Sequence, residues 1–413
     1  METELQEQIA GQDLPFYKVI VTGAGMIGWK ANKDKRILTI FLSDKKGETA
    51  KEGKAAVTFE FVDGVSLSNK VMLETQKDTK TEMTLKILCK DEYIQDKWQI
   101  YSEWCVNPVL SMQYADPDIK LFGDTYYLYT TTDGFSGWSG TQFHVFSSKD
   151  LVNFKDEGVI LDVASDDVAW SVGSAWAPCI ETRNQKYYFY FCAKDTAGDS
   201  HIGVAVSDDP AGPFTAMPQP LVTKKVCAEH GVFIGQAIDP SVFTDEDGSA
   251  YLLFGNGGGA VVKLNEDMVS LDLSTLAQYN GLEDFREAVT VTKRGGIYHF
   301  TWSCDDTGSP DYHVNYGISD SIYGPVEYKY TLLKKDEENG ILGTGHHCIL
   351  SIPDCDEYYI AYHRFFTPLG TFTEGLGFHR ETCIDKLNFD PDSGLMLPVK
   401  PTQKGICPRI FNK

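Results

Sequence analysis

The chain has 413 residues and a formal net charge of −22. That balance excludes the basic face that phosphates require and argues against nucleic acid, anionic membranes and anionic polymers as partners, leaving a neutral substrate comfortable. Aromatic residues make up 12%, with 21 Tyr and 23 Phe. This favours strands over helices in a chain long enough for two domains and a sizeable core.

From the N-terminus, "METELQEQIAGQDLP" lacks the basic start and apolar core of a secretory signal. It predicts a cytoplasmic protein, unless the chain has been shortened there. No apolar run approaches the ~18–20 residues of a membrane span. "KVIVTGAGMIG", ending at Gly28, contains a complete GxGxxG after a strand-like run, and Asp44 follows at a plausible distance. On paper this is a dinucleotide fingerprint. The fingerprint should open an amphipathic helix, but "WKANKDK" is short and polar and runs straight into "RILTIFLSD". More strand-like runs follow: "AAVTFEFVDG", "KVMLETQ", "MTLKILC" and "WQIYSEW". Residues 1–104 therefore read as a small β-sandwich-like accessory domain, with "KDEYIQDK", 90–97, as a loop or short helix near its boundary. A nicotinamide-dependent oxidoreductase built on the Gly-rich start is the competing class; tight NAD binding would favour it.

Beyond residue 104 one pattern recurs five times: "ADPDIKLFGDTYYLY" from Ala115, "WAPCIETRNQKYYFYF" from Trp176, "IDPSVFTDEDGSAYLLF" from Ile238, "REAVTVTKRGGIYHFTW" from Arg286 and "GHHCILSIPDCDEYYIAYH" from Gly345. Each is a short strand, a polar turn and an aromatic strand, a hairpin with period-2 alternation. Further strand–turn–strand segments follow, as in "FHVFSSKDLVNF", "IGVAVSDDPAGPF" and "YHVNYGISDSIYGPV", so each unit supplies about four strands. Fivefold self-similarity without long helical patterns predicts an all-β chain whose residues 105–413 form a five-bladed β-propeller. A sandwich would not repeat in this way.

In a propeller the first strand of each unit lines the axis. Aligning the units on one position gives Asp116, Ala177, Asp239, Glu287 and His346. Three carboxylates and a histidine at one mouth suit general acid–base chemistry, although a single Asp-Pro is ordinary turn chemistry. Alternation places Asp118 on the same strand face as Asp116, so the pattern alone leaves either as the base. Glu283 is an alternative acid, read as a loop residue. Trp138 in "GFSGWSG" and Trp170 are aromatic candidates for the apolar wall of a pocket, with core packing equally expected of Trp170. His363, Phe365 and Phe366 read as core or rim, and "GNGGGA", 255–260, as a tight blade turn rather than a phosphate loop. Ten cysteines are spread singly without a CxxC pair, which speaks against a zinc site and for buried, reduced thiols.

"ADPDI", "WAPCI", "IDPSV", "REAVTV", "GTGHH" and "HRETCIDKL", in this order and spacing, resemble glycoside hydrolase family 43, five-bladed propeller enzymes acting on arabinose- and xylose-containing glycans. The likeness covers about residues 105–405. It implies an inverting mechanism with Asp116 as general base, Glu287 as general acid and Asp239 as the group that tunes and orients the donor. It also implies substrate contacts from Arg380, Trp176 and Trp138, and an axial His346 that in some members sits beside a calcium or other ion. One departure stands out: the family often has Glu-Gly-Pro or Glu-Gly-Ile where this chain has Glu287, Ala288 and Val289. No cofactor is implied beyond that possible structural calcium. The expected activity is exo-hydrolysis of terminal pentosyl residues from neutral plant-derived oligosaccharides. α-L-Arabinofuranose comes first, with β-D-xylosidase or endo-arabinanase activity as alternatives within the family. A sugar-binding propeller that has lost catalysis is the alternative of another class.

Overall fold

A computed structural model describes residues 14–22, 24–43, 54–74, 78–89, 92–366 and 376–411. Asp44 and most of the N-terminal stretch behind the cytoplasmic expectation lie outside them. The described residues form strands almost throughout, with one six-residue α-helix, Lys224–Glu229, capped by the Thr223 side chain. None of their helices is long and apolar enough to cross a membrane.

Residues 16–104 form two sheets, one of three strands and one of five. Apolar residues from both, among them Phe16, Val57 and Leu73 on one and Ile40, Leu85, Trp98 and Ile100 on the other, meet in a single core. The described part of the glycine motif runs from Ala24 into strand Met26–Asn32, which contains Gly28 and belongs to a different sheet from Phe16–Thr22. No helix follows it, so the N-terminal amides a pyrophosphate would need are not presented. The stretch 90–97 differs from the loop or short helix expected of it: Glu92–Trp104 is a strand pairing antiparallel with Thr79–Cys89. Residues 92–97 stay exposed or half-buried, so it is their pairing with Thr84–Cys89, continuing a strand whose buried alternation begins at Trp98, that overrides the polar composition.

Five sheets follow, four of four strands and a last one of three, over residues 114–387. Their first strands (Tyr114–Phe122, Gly173–Arg183, Ser241–Thr244, Phe285–Arg294 and Gly345–Ser351) touch in sequence, and the fifth touches the first. One apolar cluster fills each gap between neighbouring sheets, including the gap between the last and the first. The ring is therefore closed, and we number its blades 1 to 5. Because each blade is packed on both faces, its second strand is mostly buried. Tyr358–Phe365 has no exposed residue, which is why these strands read as near-continuous apolar runs instead of alternating ones. Tight hairpins set the register. Asn184 and Gln185 in blade 2, and Gly295 and Gly296 in blade 4, take positive φ at both central positions, the twist that suits a two-residue turn.

Two residues beyond the axial position each first strand carries a small polar side chain: Asp118, Cys179, Ser241, Thr290 and Cys348. Four ties between neighbouring first strands result. Asp118 accepts from the Ile180 amide (2.7 Å) and Cys179 from the Val242 amide (3.3 Å). Ser241 bonds Thr290 (3.0 Å), and Cys348 accepts from the Ile119 amide (3.1 Å). Three of these ties satisfy inner-strand amides, and a buried orphan donor is costly; the fourth joins two hydroxyls. All ten cysteines are free thiols; Cys89, Cys355 and Cys407 are exposed, and the other seven are buried or half-buried.

Candidate active site

At the entry of every blade one residue adopts the left-handed backbone: Asp116 (φ 50°), Ala177 (43°), Asp239 (59°), Ala288 (56°) and His346 (32°). The pairing register skips at this point in blades 1, 2, 4 and 5. The bulge breaks period-2 alternation, so Asp116 and Asp118 do not share a role: Asp118 ties blade 1 to blade 2, and Asp116 faces the axis. It also corrects the alignment read from sequence. Ala288, not Glu287, is the equivalent of Asp116, Asp239 and His346. Glu287 occupies the preceding position, with Ala115, Trp176, Ile238 and Gly345. The carboxylates thus come from two successive positions of the repeat.

Left-handed backbone costs a residue with a Cβ about 1–2 kcal/mol, and such strain persists where the surroundings fix it. Ala288→Gly is expected to leave stability unchanged or raise it by up to ~1 kcal/mol, because relief of strain exceeds the ~0.4–1 kcal/mol of added unfolded-chain entropy. Urea unfolding checks this; a loss of stability would contradict it.

The site centres on four buried groups. Asp116 receives Arg380 Nη1 at 2.9 Å and Nη2 at 3.3 Å, and His363 Nδ1 lies 2.9 Å from its Oδ1. Burial opposes its ionisation, but Arg380, His346 and His363 together hold it well below the usual carboxylate range. Arg380 is itself clamped by Asp133, whose carboxylate accepts from its backbone amide (3.0 Å), Nε (2.8 Å) and Nη2 (3.1 Å). Thr307 Oγ1 takes the remaining bond, 3.1 Å from Nη1. Glu287 accepts from Asn256 Nδ2 at 2.5 Å and from Tyr312 Oη at 2.8 Å. Burial raises its pKa; these two bonds and the Arg286 guanidinium, 3.9 Å away, pull it back, and the Asp116 charge pushes it up. Asp239 is raised well above the ordinary range by burial and then by the charges of Glu287 and Asp116, and its Oδ2 has no hydrogen-bond partner. The His363 ring, driven down to about 3 by burial, stacks on Tyr312 with centroids 5.5 Å apart. A continuous chain of contacts therefore links the two acids: Asp116, His363, Tyr312, Glu287.

His346 Nδ1 lies 3.6 Å from Asp116 Oδ1 and 3.8 Å from Asp239 Oδ2, between the two acids. The donors do not suit the axial calcium that the family resemblance implies. Both Asp116 oxygens are engaged by Arg380, a guanidinium lies at the same place, and among the described residues no three His, Cys, Asp or Glu side chains form a metal-binding group. We route no step through an ion.

The aromatic candidates divide. Trp176 Nε1 donates to the Trp138 carbonyl (2.6 Å) and Trp138 Nε1 to the Gly377 carbonyl (2.7 Å), so the two indoles link blades 2, 1 and 5 along the rim. Lys194 lies over the Trp176 ring, and Phe378 packs edge-on against Trp138. Trp170 is core: it stacks on Phe191, and a side chain at Gly203 would collide with it. Glu283 is exposed in a turn, where its carbonyl receives Trp302 Nε1. His363 is fully buried, as its reading as core expects, and it also touches Asp116 directly. Asp133, Asn256, Thr307 and Tyr312 were missed. Asp133 and Asn256 stand just beyond second strands, so the ends of those strands carried the same signal as the starts of the first strands. Tyr312 and Thr307 carried none.

The model of glycosyl hydrolases family 43 matches residues 105–394. The chain belongs to this family. Among curated relatives it is similar to Beta-D-galactofuranosidase xynD of Aspergillus niger, 34% identical, with 74% of this chain and 88% of the relative covered. It is also similar to Xylosidase/arabinosidase 43A of Humicola insolens, 30% identical, with 71% and 99% covered. Among solved structures, a thermostable family 43 glycoside hydrolase superposes with a TM-score of 0.62 at 26% identity, over 73% of this chain and 97% of that one. A Xanthomonas citri family 43 enzyme complexed with xylotriose gives a TM-score of 0.58 at 27% identity, over 71% and 93%. Both superpositions leave about the length of the N-terminal sandwich uncovered. Family 43 members are glycoside hydrolases, and the all-β propeller of this chain is theirs.

Proposed function

We propose that this family 43 chain is an inverting exo-glycosidase that removes terminal pentosyl residues, α-L-arabinofuranosyl first, from neutral oligosaccharides. Asp116 activates water, Glu287 protonates the leaving oxygen, Asp239 sets the protonation of Glu287, and Arg380 with His346 orients Asp116 and the sugar. Trp176 and Trp138 wall the sugar pocket, and residues 1–104 serve as an accessory domain. One observation carries this reading: two buried carboxyl groups are joined by one chain of contacts through His363 and Tyr312, with Arg380 and His363 keeping one ionised and burial pushing the other toward its protonated form. That division of labour is what inversion requires, with an acid on the leaving-group side and a base on the water side.

A second reading comes from the Aspergillus niger relative. β-D-Galactofuranose has the ring configuration of α-L-arabinofuranose plus an exocyclic extension, so one set of acids serves both. β-D-Xyloside is the third arm, supported by the Humicola insolens relative and the xylotriose complex. The test is a panel of nitrophenyl α-L-arabinofuranoside, β-D-xyloside and β-D-galactofuranoside with Glu287→Ala as control, followed by NMR of the first product anomer. Release of nitrophenol with inverted product is expected. Failure on every substrate would end the enzymatic reading in favour of a binding propeller.

The same groups fix the pH profile. Activity needs Asp116 ionised and Glu287 protonated. It should fall as pH drops through the depressed pKa of Asp116 and again as pH rises through the raised macroscopic pKa of the coupled Glu287–Asp239 pair. Measuring kcat/KM against pH should give a bell displaced at both limbs from ordinary carboxylates; a single acid limb would contradict the assignment.

A further inference from the structure

The glycines around Asn256 (Gly255, Gly257, Gly258 and Gly259) and an exposed phenylalanine are not used by the mechanism. Phe233 is 68% exposed, the most of any large apolar side chain among the described residues. Its exposure is built in. Val232 and Ile234 on either side are buried, and Gln278 clamps its backbone, accepting from its amide (3.2 Å) and donating to its carbonyl (3.0 Å). Gly258 packs so closely that a Cβ there would lie 2.5 Å from the Phe233 carbonyl oxygen. The neighbouring Gly257 is exposed, and a Cβ there would meet nothing nearer than the Gly235 backbone at 3.9 Å.

This platform adjoins the acid. Gly235, two residues after Phe233, donates to the Asn256 carbonyl (2.7 Å), and Asn256 Nδ2 holds Glu287. Gly257 in turn donates to the Arg286 carbonyl (2.8 Å). The exposed Phe233 ring, on a backbone clamped by Gln278, and the bare backbone of Gly257 lie one hydrogen-bonded residue from the group that must face the leaving oxygen. Whatever sugar carries that oxygen has to sit next to Glu287. Sugars present a C–H face that packs on aromatic rings.

We propose that Phe233 and the Gly255–Gly259 shelf form the leaving-group subsite, where the ring of the penultimate neutral sugar packs on Phe233. The proposal rests on the glycosidase reading above and adds to it the part of the molecule that selects the aglycone.

The test compares Phe233→Ala, Phe233→Tyr and wild type on a trisaccharide and on the methyl glycoside of the same terminal sugar. In Phe233→Ala the loss of kcat/KM on the trisaccharide should exceed that on the methyl glycoside by roughly five- to tenfold, mostly through KM, and Phe233→Tyr should restore it. As a second measurement, calorimetry on the Glu287→Gln background should show weaker trisaccharide binding in Phe233→Ala than in its parent, while the affinity for free monosaccharide changes less. Equal losses on both substrates, or none, overturn the subsite. A wild type that cleaves neither substrate instead overturns the glycosidase reading, and the subsite falls with it.

Discussion

Glu287→Ala is expected to lower kcat by about 10²–10⁴-fold on an oligosaccharide, whose leaving alcohol cannot depart unprotonated. On a dinitrophenyl glycoside, whose leaving group departs as a stable anion, the loss should be far smaller. The ratio of the two losses is the measurement, because it separates an acid from a merely structural carboxylate. The alkaline limb of the pH profile should also disappear. The substitution leaves Tyr312 Oη and Asn256 Nδ2 without their acceptor, at a cost of about 1–3 kcal/mol unless water replaces it. Glu287→Gln keeps an acceptor for both donors and is the control for folding. Equal losses on both leaving groups would remove Glu287 from the acid role.

Arg380→Leu is expected to be the most damaging single change to stability and activity together. Arg380 is buried between Asp116 and Asp133 and bonds both. Removing its charge strands two buried carboxylates, a cost of about 3–5 kcal/mol. Without the guanidinium the pKa of Asp116 rises, so the acid limb should move to higher pH and less of the base is ionised at any given acid pH. Arg380→Lys should recover part of the stability but little activity, since a point charge cannot hold two carboxylates by a planar fork. Denaturant unfolding and a pH–rate profile measure the two effects; an unshifted acid limb would mean that Arg380 does not control Asp116.

The propeller was legible because closed repetition leaves its mark on the chain: five strand starts recur, and blades packed on both faces make the second strands aromatic. Asp116 and Asp239 were legible for the same reason. Glu287 was found as a residue but placed one position out, because a bulge inserts a left-handed residue that alternation cannot register. Arg380 came only through the family resemblance; nothing in its local sequence distinguishes a buried clamp from a surface arginine. His363 and Tyr312 approach the acids through strand pairing over long sequence separations, and a core histidine looks the same as one that touches a carboxylate. Of the two aromatics of the rim, Trp138 was visible as an indole in a Gly/Ser-rich loop and Trp176 came through the resemblance, but their carbonyl partners depend on blades adjacent only in space.

The proposed base and the closure of the ring are one place. Asp116 lies on the first blade, and the groups that keep it charged, Arg380, His346 and His363, all lie on the last. A molecule whose last blade swings away from its first would keep nearly every strand and most of its inter-blade packing, yet lose at once the contacts that hold Asp116 ionised. Competence for hydrolysis therefore reports the integrity of that seam, and loss of turnover on mild denaturation should precede the loss of sheet structure.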